Sequence, residues 1–232
     1  MLAVLGAAIW LLAATRVPET LPVERRRRGG LGETLQTFGG LLRDRGYAGP
    51  LGALVLACAG LFGYLAGSPF LLQDVHGLSP QAYSGVFAVN TIGLVIISQV
   101  AGRVVDRVGP RVLLLGGTSI IAVGGLGLLA ATLSDAGLLG VLPALFCVVS
   151  GMGLVFPSAT TLALADHGDT AGSASALLGL GQFLAGALAA PLVGLGSDHA
   201  LSMAVVIAVV TVASLAVALT ATRQRAAVPA LA

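Results

Sequence analysis

The chain has 232 residues, 56% of them hydrophobic and only 9% charged, with a mean hydropathy of +0.98. Soluble domains carry roughly 25% charged residues, so this composition excludes a water-soluble globular fold. Two cysteines, Cys58 and Cys147, both sit inside apolar runs without metal-ligand spacing and suggest neither a disulfide framework nor a zinc site.

Apolar runs lie near residues 2–17, 50–72, 83–103, 111–133, 137–164, 170–195 and 200–222. A helix of about 20 such residues crosses a hydrocarbon layer about 30 Å thick. None of the runs alternates strictly between apolar and polar, which argues against a membrane β-barrel. The fold class is therefore an all-α polytopic membrane protein of about seven transmembrane helices. Residues 1–17 form the first; its arginines follow the apolar stretch instead of preceding it, so it reads as a retained helix and not a cleaved signal. Residues 18–49 are a basic linker holding the run Arg25 to Arg28. Within it Leu31, Leu35, Phe38 and Leu42 recur at helical spacing, as in a short helix lying on the membrane surface. The arginine run has no interleaved aromatics and suits anionic lipid, not nucleic acid. Residues 50–222 hold six helices, the fifth run being long and broken by Pro143 and Pro157, and 223–232 form a tail. Ser79-Pro80 is a helix start, with Tyr83 and Tyr47 expected as interfacial belt residues. In the sixth run of the seven, Gly172/Ala176, Ser175/Gly179, Ala185/Ala189 and Gly186/Ala190 stand four apart, a spacing that lets helices pack closely in lipid.

All twelve basic residues are arginine. If the helices alternate in direction, every one falls on one side, and the opposite loops carry only Asp74, Asp135 and Asp198. Arginine-bearing loops stay cytoplasmic, which puts the N-terminus outside, the C-terminus inside, and GRVVDRVGPR at 102–111 in a tight cytoplasmic turn. Orientation accounts for its arginines but not for Asp106, because acids contribute little to that rule.

Polar groups within membrane helices are costly unless they face the bundle interior or a watery path. Ser84, Thr91 and Ser98 lie seven apart on one helix face, and Asn90 lies about 100° from them. They either bond between helices or line a path. Tyr64, Asn90, Gln99 and Gln182 carry the largest polar groups and are the candidates for a substrate path. No carboxylate lies deep in an apolar run. HExxH, GxSxG and Walker patterns are absent, so the chain is not read as an enzyme and no cofactor or metal is implied. His76, His167 and His199 are expected to be solvated loop residues. A retinal Schiff base would need a lysine, and there is none.

The turn at 102–111 resembles the G-x-x-x-D-R-x-G-R-R/K signature of the major facilitator superfamily, with Gly102, Asp106, Arg107 and Gly109 in register and Pro110-Arg111 in the last two places. VPETLP at 17–22, SPFLLQDVHGLSPQAYSGVFAVN at 68–90 and AGSASALLGLGQFLAGAL at 171–188 are similar to the second half of the bicyclomycin/chloramphenicol-resistance (Bcr/CflA) drug:proton antiporters. The family pattern has Asn where this chain has Ser158. The resemblance implies that the last six helices form one half-bundle of a transporter and that the chain begins at the sixth of the family's twelve helices. The usual proton-coupling acid would then belong to the half that precedes it. It also implies a conformational gate at Gly102, Arg103, Asp106, Arg107, Gly109 and Arg111. Asp106 would dock on a helix N-terminus of the other half, where unpaired N–H groups and the helix dipole favour an anion. Asp169 and Thr170, at the start of the penultimate helix, would be the reciprocal dock.

The expected function is thus the C-terminal portion of an inner-membrane multidrug efflux transporter working by alternating access. It would carry a drug-like small molecule, with protons moving through the other half, and would need that half or an oligomer to act. An incomplete reading frame, a decayed gene and a true half-protein all fit such a chain. The alternatives are a non-transporting membrane scaffold and a half-transporter that needs a separate partner. The orientation has a direct test. In a cysteine-free background, His76→Cys should react with impermeant maleimide from outside the cell and Asp106→Cys only from inside; the reverse pattern would refute the topology.

Overall fold

The computed structural model describes residues 2–16, 30–195 and 198–226; the arginine run 25–28 and the tail beyond Ala226 lie outside these. The chain divides into two compact units, Met1–Gln36 and Thr37–Ala232. The first contains α1 (Leu2–Arg16). Its 15 residues rise about 22 Å, short of the thickness of about 30 Å that a full crossing needs. The expected first span, 1–17, extends beyond the described residues at both ends.

Among the described residues six helices are long and apolar enough to cross a membrane. Helix α2 (Leu31–Arg43) is the linker helix, and the spans are α3 (Arg45–Pro69, prolonged by a wider π-turn at Phe70–Val75), α4 (Pro80–Val108), α5 (Pro110–Leu133), α6 (Gly137–Leu164), α7 (Ala171–Val193) and α8 (His199–Ala226). Side-chain caps set three of the helix starts. Asp44 caps α3 by accepting the Gly46 N–H at 2.8 Å, and Asp198 accepts the Leu201 N–H at 3.0 Å at the start of α8. The Ser79 hydroxyl accepts the Ala82 N–H at 3.2 Å, with Pro80 at the first helical position, as its sequence implies.

The boundaries expected from apolarity alone are too short in two places. The loop expected at 73–82 is cut back to residues 76–79, because the π-turn carries α3 to Val75. Likewise α4 does not end near 103 but runs to Val108, and the turn expected at 102–111 shrinks to one residue, Gly109. Helix α6 is continuous through Pro143 and Pro157. A proline frees one backbone carbonyl, but contact with neighbouring helices holds the axis together.

The six spans form two layers. Helix α6 packs on α4 and α3, and α3 packs on α7, giving a front layer in the order α4, α6, α3, α7. Behind it α8 lies against α3 and α5, and α5 lies against α6. Buried side chains gather in two main clusters, one around Tyr47, Leu54, Leu114 and Met152 and one around Tyr64, Leu128, Leu145 and Met203. Polar bonds tie α3 to α8 and α7: the Ser214 hydroxyl donates to the Ala53 carbonyl at 2.7 Å, and the Tyr47 hydroxyl to the Ala174 carbonyl at 2.6 Å. Tyr47 is fully buried and no belt residue. Its ring fills the α3–α7 seam, where burial satisfies both its apolar body and its hydroxyl. In α2, Leu41 is buried and Phe38 packs against the same cluster, whereas Leu35 and Leu42 stay exposed.

Packing, and not a hydrophobic driving force, holds helices together in lipid, and small residues permit it. A Cβ at Gly124 would stand 2.8 Å from the Ala144 carbonyl oxygen and the Val148 nitrogen, and one at Gly153 would stand 2.5 Å from the Leu94 carbonyl oxygen. These are backbone atoms that cannot turn aside. Gly153→Leu is therefore expected to force α4 and α6 apart and destabilise the bundle by about 1–3 kcal/mol, whereas Gly85→Ala, with open space around it, should be neutral. Thermal unfolding of the two variants in detergent checks the contrast.

Candidate functional site

Two places in the bundle carry the polar residues that the sequence singles out. The first is the end of α4. Gly102, Arg103, Asp106 and Arg107 are exposed on its last turns. Gly109 follows with φ +80° and ψ 150°, a left-handed conformation that glycine adopts without strain. It ends α4 and starts α5 at once, and Pro110, with φ already fixed, occupies the first position of the new helix. Arg111 is half-buried and lines a cleft with Arg45, Pro50, Leu114 and Leu162. Among the described residues Asp106 has no hydrogen-bond or ion-pair partner, although three arginines share its stretch of chain. An acid at a helix C-terminus gains nothing from the dipole, so the fold of this unit does not explain it.

Asp106 shares a face with other exposed residues. At 100° per residue, Gln81, Ala88, Gln99, Gly102 and Asp106 fall within about 60° of one another, and all are exposed. The opposite face, with Asn90, Gly93 and Ala101, is the buried one. Ser84 and Thr91 are exposed too. Their hydroxyls bond the carbonyls of Pro80 and Phe87 on their own helix, each at 2.8 Å, and not another helix.

The second place is a buried polar cluster between α3 and α4. The Asn90 amide nitrogen donates to the Tyr64 hydroxyl at 3.2 Å, and both side chains are almost wholly buried. Nearby the hydroxyls of Ser68 and Tyr83 share a bond of 3.2 Å. Phe87 stacks on Tyr64 with ring centroids 6.1 Å apart and leans on Tyr83 at 6.3 Å. Long side chains, not touching backbones, bridge these two helices. Asn90 also lines a groove of about 330 Å³ between α4 and α6, otherwise walled by Val86, Val89, Leu142, Pro143, Phe146 and Cys147. Mostly apolar walls with one placed polar group are the usual make-up of a small-molecule site. On α6, the Ser150 and Ser158 hydroxyls are buried without a partner among the described residues.

Of the four path candidates, then, the structure brings Tyr64 and Asn90 together; Gln99 lies on the exposed face of α4, and Gln182 is half-buried on α7. Ser68 and Tyr83 are additions that the sequence signals weakly: Ser68 stands one turn after Tyr64, and Tyr83, Phe87 and Asn90 follow at helical spacing. Asp169 is exposed and Thr170 half-buried in a 3-10 turn, Gly168–Thr170, that leads into α7 without a side-chain cap. His167 departs from the expected solvated state: it is 13% exposed and pairs with Asp44.

Six apolar spans in two layers, with a polar cluster inside and charges at the ends, define a multi-pass membrane protein. The chain belongs to the major facilitator superfamily, whose family model matches residues 1–190. It is similar to the uncharacterized MFS-type transporter YdgK of Bacillus subtilis (strain 168), with 32% identity over 212 residues, 91% of this chain and 53% of the relative. It thus spans about half the length of that curated relative.

Removing the Tyr64 hydroxyl leaves the buried Asn90 amide short of a partner. Tyr64→Phe should cost about 1–3 kcal/mol in unfolding free energy, and adding Asn90→Leu should recover part of it, since replacing both partners removes the unpaired group. A double-mutant cycle on thermal or denaturant unfolding measures this, and strictly additive losses would show that the bond is not made.

Proposed function

We propose that this chain is the C-terminal half-bundle of a drug-efflux transporter of the bicyclomycin/chloramphenicol-resistance type, working by alternating access against a second bundle. The observation that carries the reading is the uneven burial of the front layer. Of the most apolar stretch of each helix, 61% is buried in α3 but only 17% in α4 and 33% in α7. The open faces are not simply greasy. That of α4 holds Gln81, Gln99, Gly102 and Asp106, and α7 exposes Gly172, Ser175 and Ala176. Small and polar residues suit another helix bundle or a watery path better than lipid. The groove beside Asn90 suits an apolar, drug-sized substrate.

In this reading Asp106 is the gate anion, docking on a helix N-terminus of the second bundle, and the uncapped start of α7 at Asp169 and Thr170 receives its counterpart. Gln99 and Gln182 line the path from the edges of the layer, and Tyr64 with Asn90 lie at its centre. The arginine-bearing ends face the cytoplasm. The coupling proton binds in the second bundle.

The test is complementation in cells stripped of their own pumps. The chain alone should leave chloramphenicol accumulation unchanged, and co-expression with the first half of the Bacillus relative should lower it. In the complemented pair Asp106→Asn should slow efflux roughly tenfold or more, the loss expected for a charge-assisted bond worth about 1.5–3 kcal/mol. Unimpaired efflux by that variant would remove the gate. Unchanged accumulation by a pair that assembles would favour the scaffold reading.

A further inference from the structure

A third cluster, used by neither the gate anion nor the polar cluster, lies at the arginine-bearing end of the bundle, between its two layers. There α3, α5, α6 and α8 enclose a small cleft walled by Pro50, Leu114, Leu162 and Ala221, with Arg45 and Arg111 beside them. Its back is shut, because α3 and α8 touch so closely that a Cβ at Gly49 would run into the side chain of Ala221. The free space is about 20 Å³, and one water-sized group needs about 10–15 Å³. The cleft seats a single small group.

The two cations stand at the wrong ends of their helices. Arg45 is the first residue of α3 and Arg111 the second of α5, where unpaired N–H groups and the dipole make a positive end that favours an anion. Among the described residues neither guanidinium makes a hydrogen bond or an ion pair. Asp44, next to Arg45 in the chain, is committed to the Gly46 N–H and to His167. The start of α5 has no side-chain cap. One turn deeper, on the same face of α6 as Leu162, the Ser158 hydroxyl is 2% exposed and has no partner among the described residues. The positive-inside rule asks that arginines lie in the connections. It does not ask that two of them share a cleft.

We infer that this cleft, where Arg45 and Arg111 meet at the starts of α3 and α5, binds a phosphate oxyanion. One oxygen enters the cleft, where Ser158 leaves a hydroxyl free to donate. The others stay at the mouth, where the planar guanidinium groups match the geometry of phosphate. The anion also answers the N-terminal N–H groups of α3 and α5, and so ties together the starts of two helices from different layers. Two sources supply such a group. One is the headgroup phosphate of an anionic lipid, which basic pockets between membrane helices hold; the other is free phosphate from the aqueous phase. The site does not depend on the efflux reading and would be filled in a bundle that moves nothing.

The experiment is thermal unfolding of the full chain, delipidated in an uncharged detergent and followed by circular dichroism. Dioctanoyl phosphatidylglycerol, dioctanoyl phosphatidylcholine and inorganic phosphate are titrated separately at constant ionic strength. Wild type should be stabilised saturably by phosphatidylglycerol, by inorganic phosphate or by both, and far less by phosphatidylcholine. A response to phosphatidylglycerol alone identifies the lipid headgroup, and one to inorganic phosphate at similar concentration identifies the soluble anion. Arg45→Gln combined with Arg111→Gln should raise the half-saturating concentration about fivefold for each arginine removed, about twentyfold in all. Without ligand this variant should melt no lower than wild type, since it loses two unpaired cations at positive helix ends. Arg103→Gln with Arg107→Gln removes the same charge from the exposed end of α4 and should respond like wild type. No response to either phosphate source, equal responses to the two lipids, or equal weakening in the two double variants overturns the site. So does an Arg45 and Arg111 variant that melts well below wild type without ligand, because its arginines would then be paired within the chain.

Discussion

The bundle depends on α6 lying backbone against backbone with its neighbours. At Gly124 the α5 chain meets the carbonyl of Ala144 and the nitrogen of Val148, and at Gly153 the α6 chain meets the backbone of α4. In lipid there is no gain from hiding one apolar surface against another, so close approach and dispersion have to do what the hydrophobic effect does in water. With α6 fixed in this way, α3 and α4 are both placed by contact with it, and α8 closes the back by packing on α3 and α5. Helix α4 is packed closely on one side. Its main contact is α6, which leaves its remaining faces open.

That arrangement explains where polar atoms are found. The helices that touch closely exchange few side-chain bonds, and Thr118 and Thr211 satisfy their hydroxyls on carbonyls of their own helices. Between α3 and α4, where long side chains span the gap, Asn90, Tyr64, Ser68 and Tyr83 form bonds with one another. The polar cluster is thus the outcome of one loose seam in an otherwise tight bundle.

Much of this architecture is legible in the apolar runs, because a span must be long, unbroken and uncharged, and Ser79-Pro80 marks its helix start by local chemistry alone. Other features depend on neighbours that the sequence does not reveal. Arginines at the end of α4 look like a loop to any count based on apolarity, although nothing prevents a helix from carrying charge beyond the membrane. Tyr47 reads as an interfacial residue because an aromatic ring near the end of a span looks the same whether it turns outward or inward. Helical spacing separates Asn90 from Ser84 and Thr91, and the structure keeps that separation, but only packing tells which face is buried. His167 is the hardest case. Its partner Asp44 lies four helices earlier in the chain, and no spacing rule connects them.

Gly109 has one further consequence. With a single residue between α4 and α5, the two rods have no slack, and α4 cannot slide along its own axis without dragging α5. If α4 left its seat on α6, the motion open to it would be a swing about that one left-handed residue, like a stick held by a short tether at its foot. A small change of angle at Gly109 becomes a displacement of many ångströms at Pro80, at the far end of a helix of 29 residues. The face that carries Gln81, Gln99 and Asp106 would then sweep an arc that is widest at one end of the membrane and nearly still at the other.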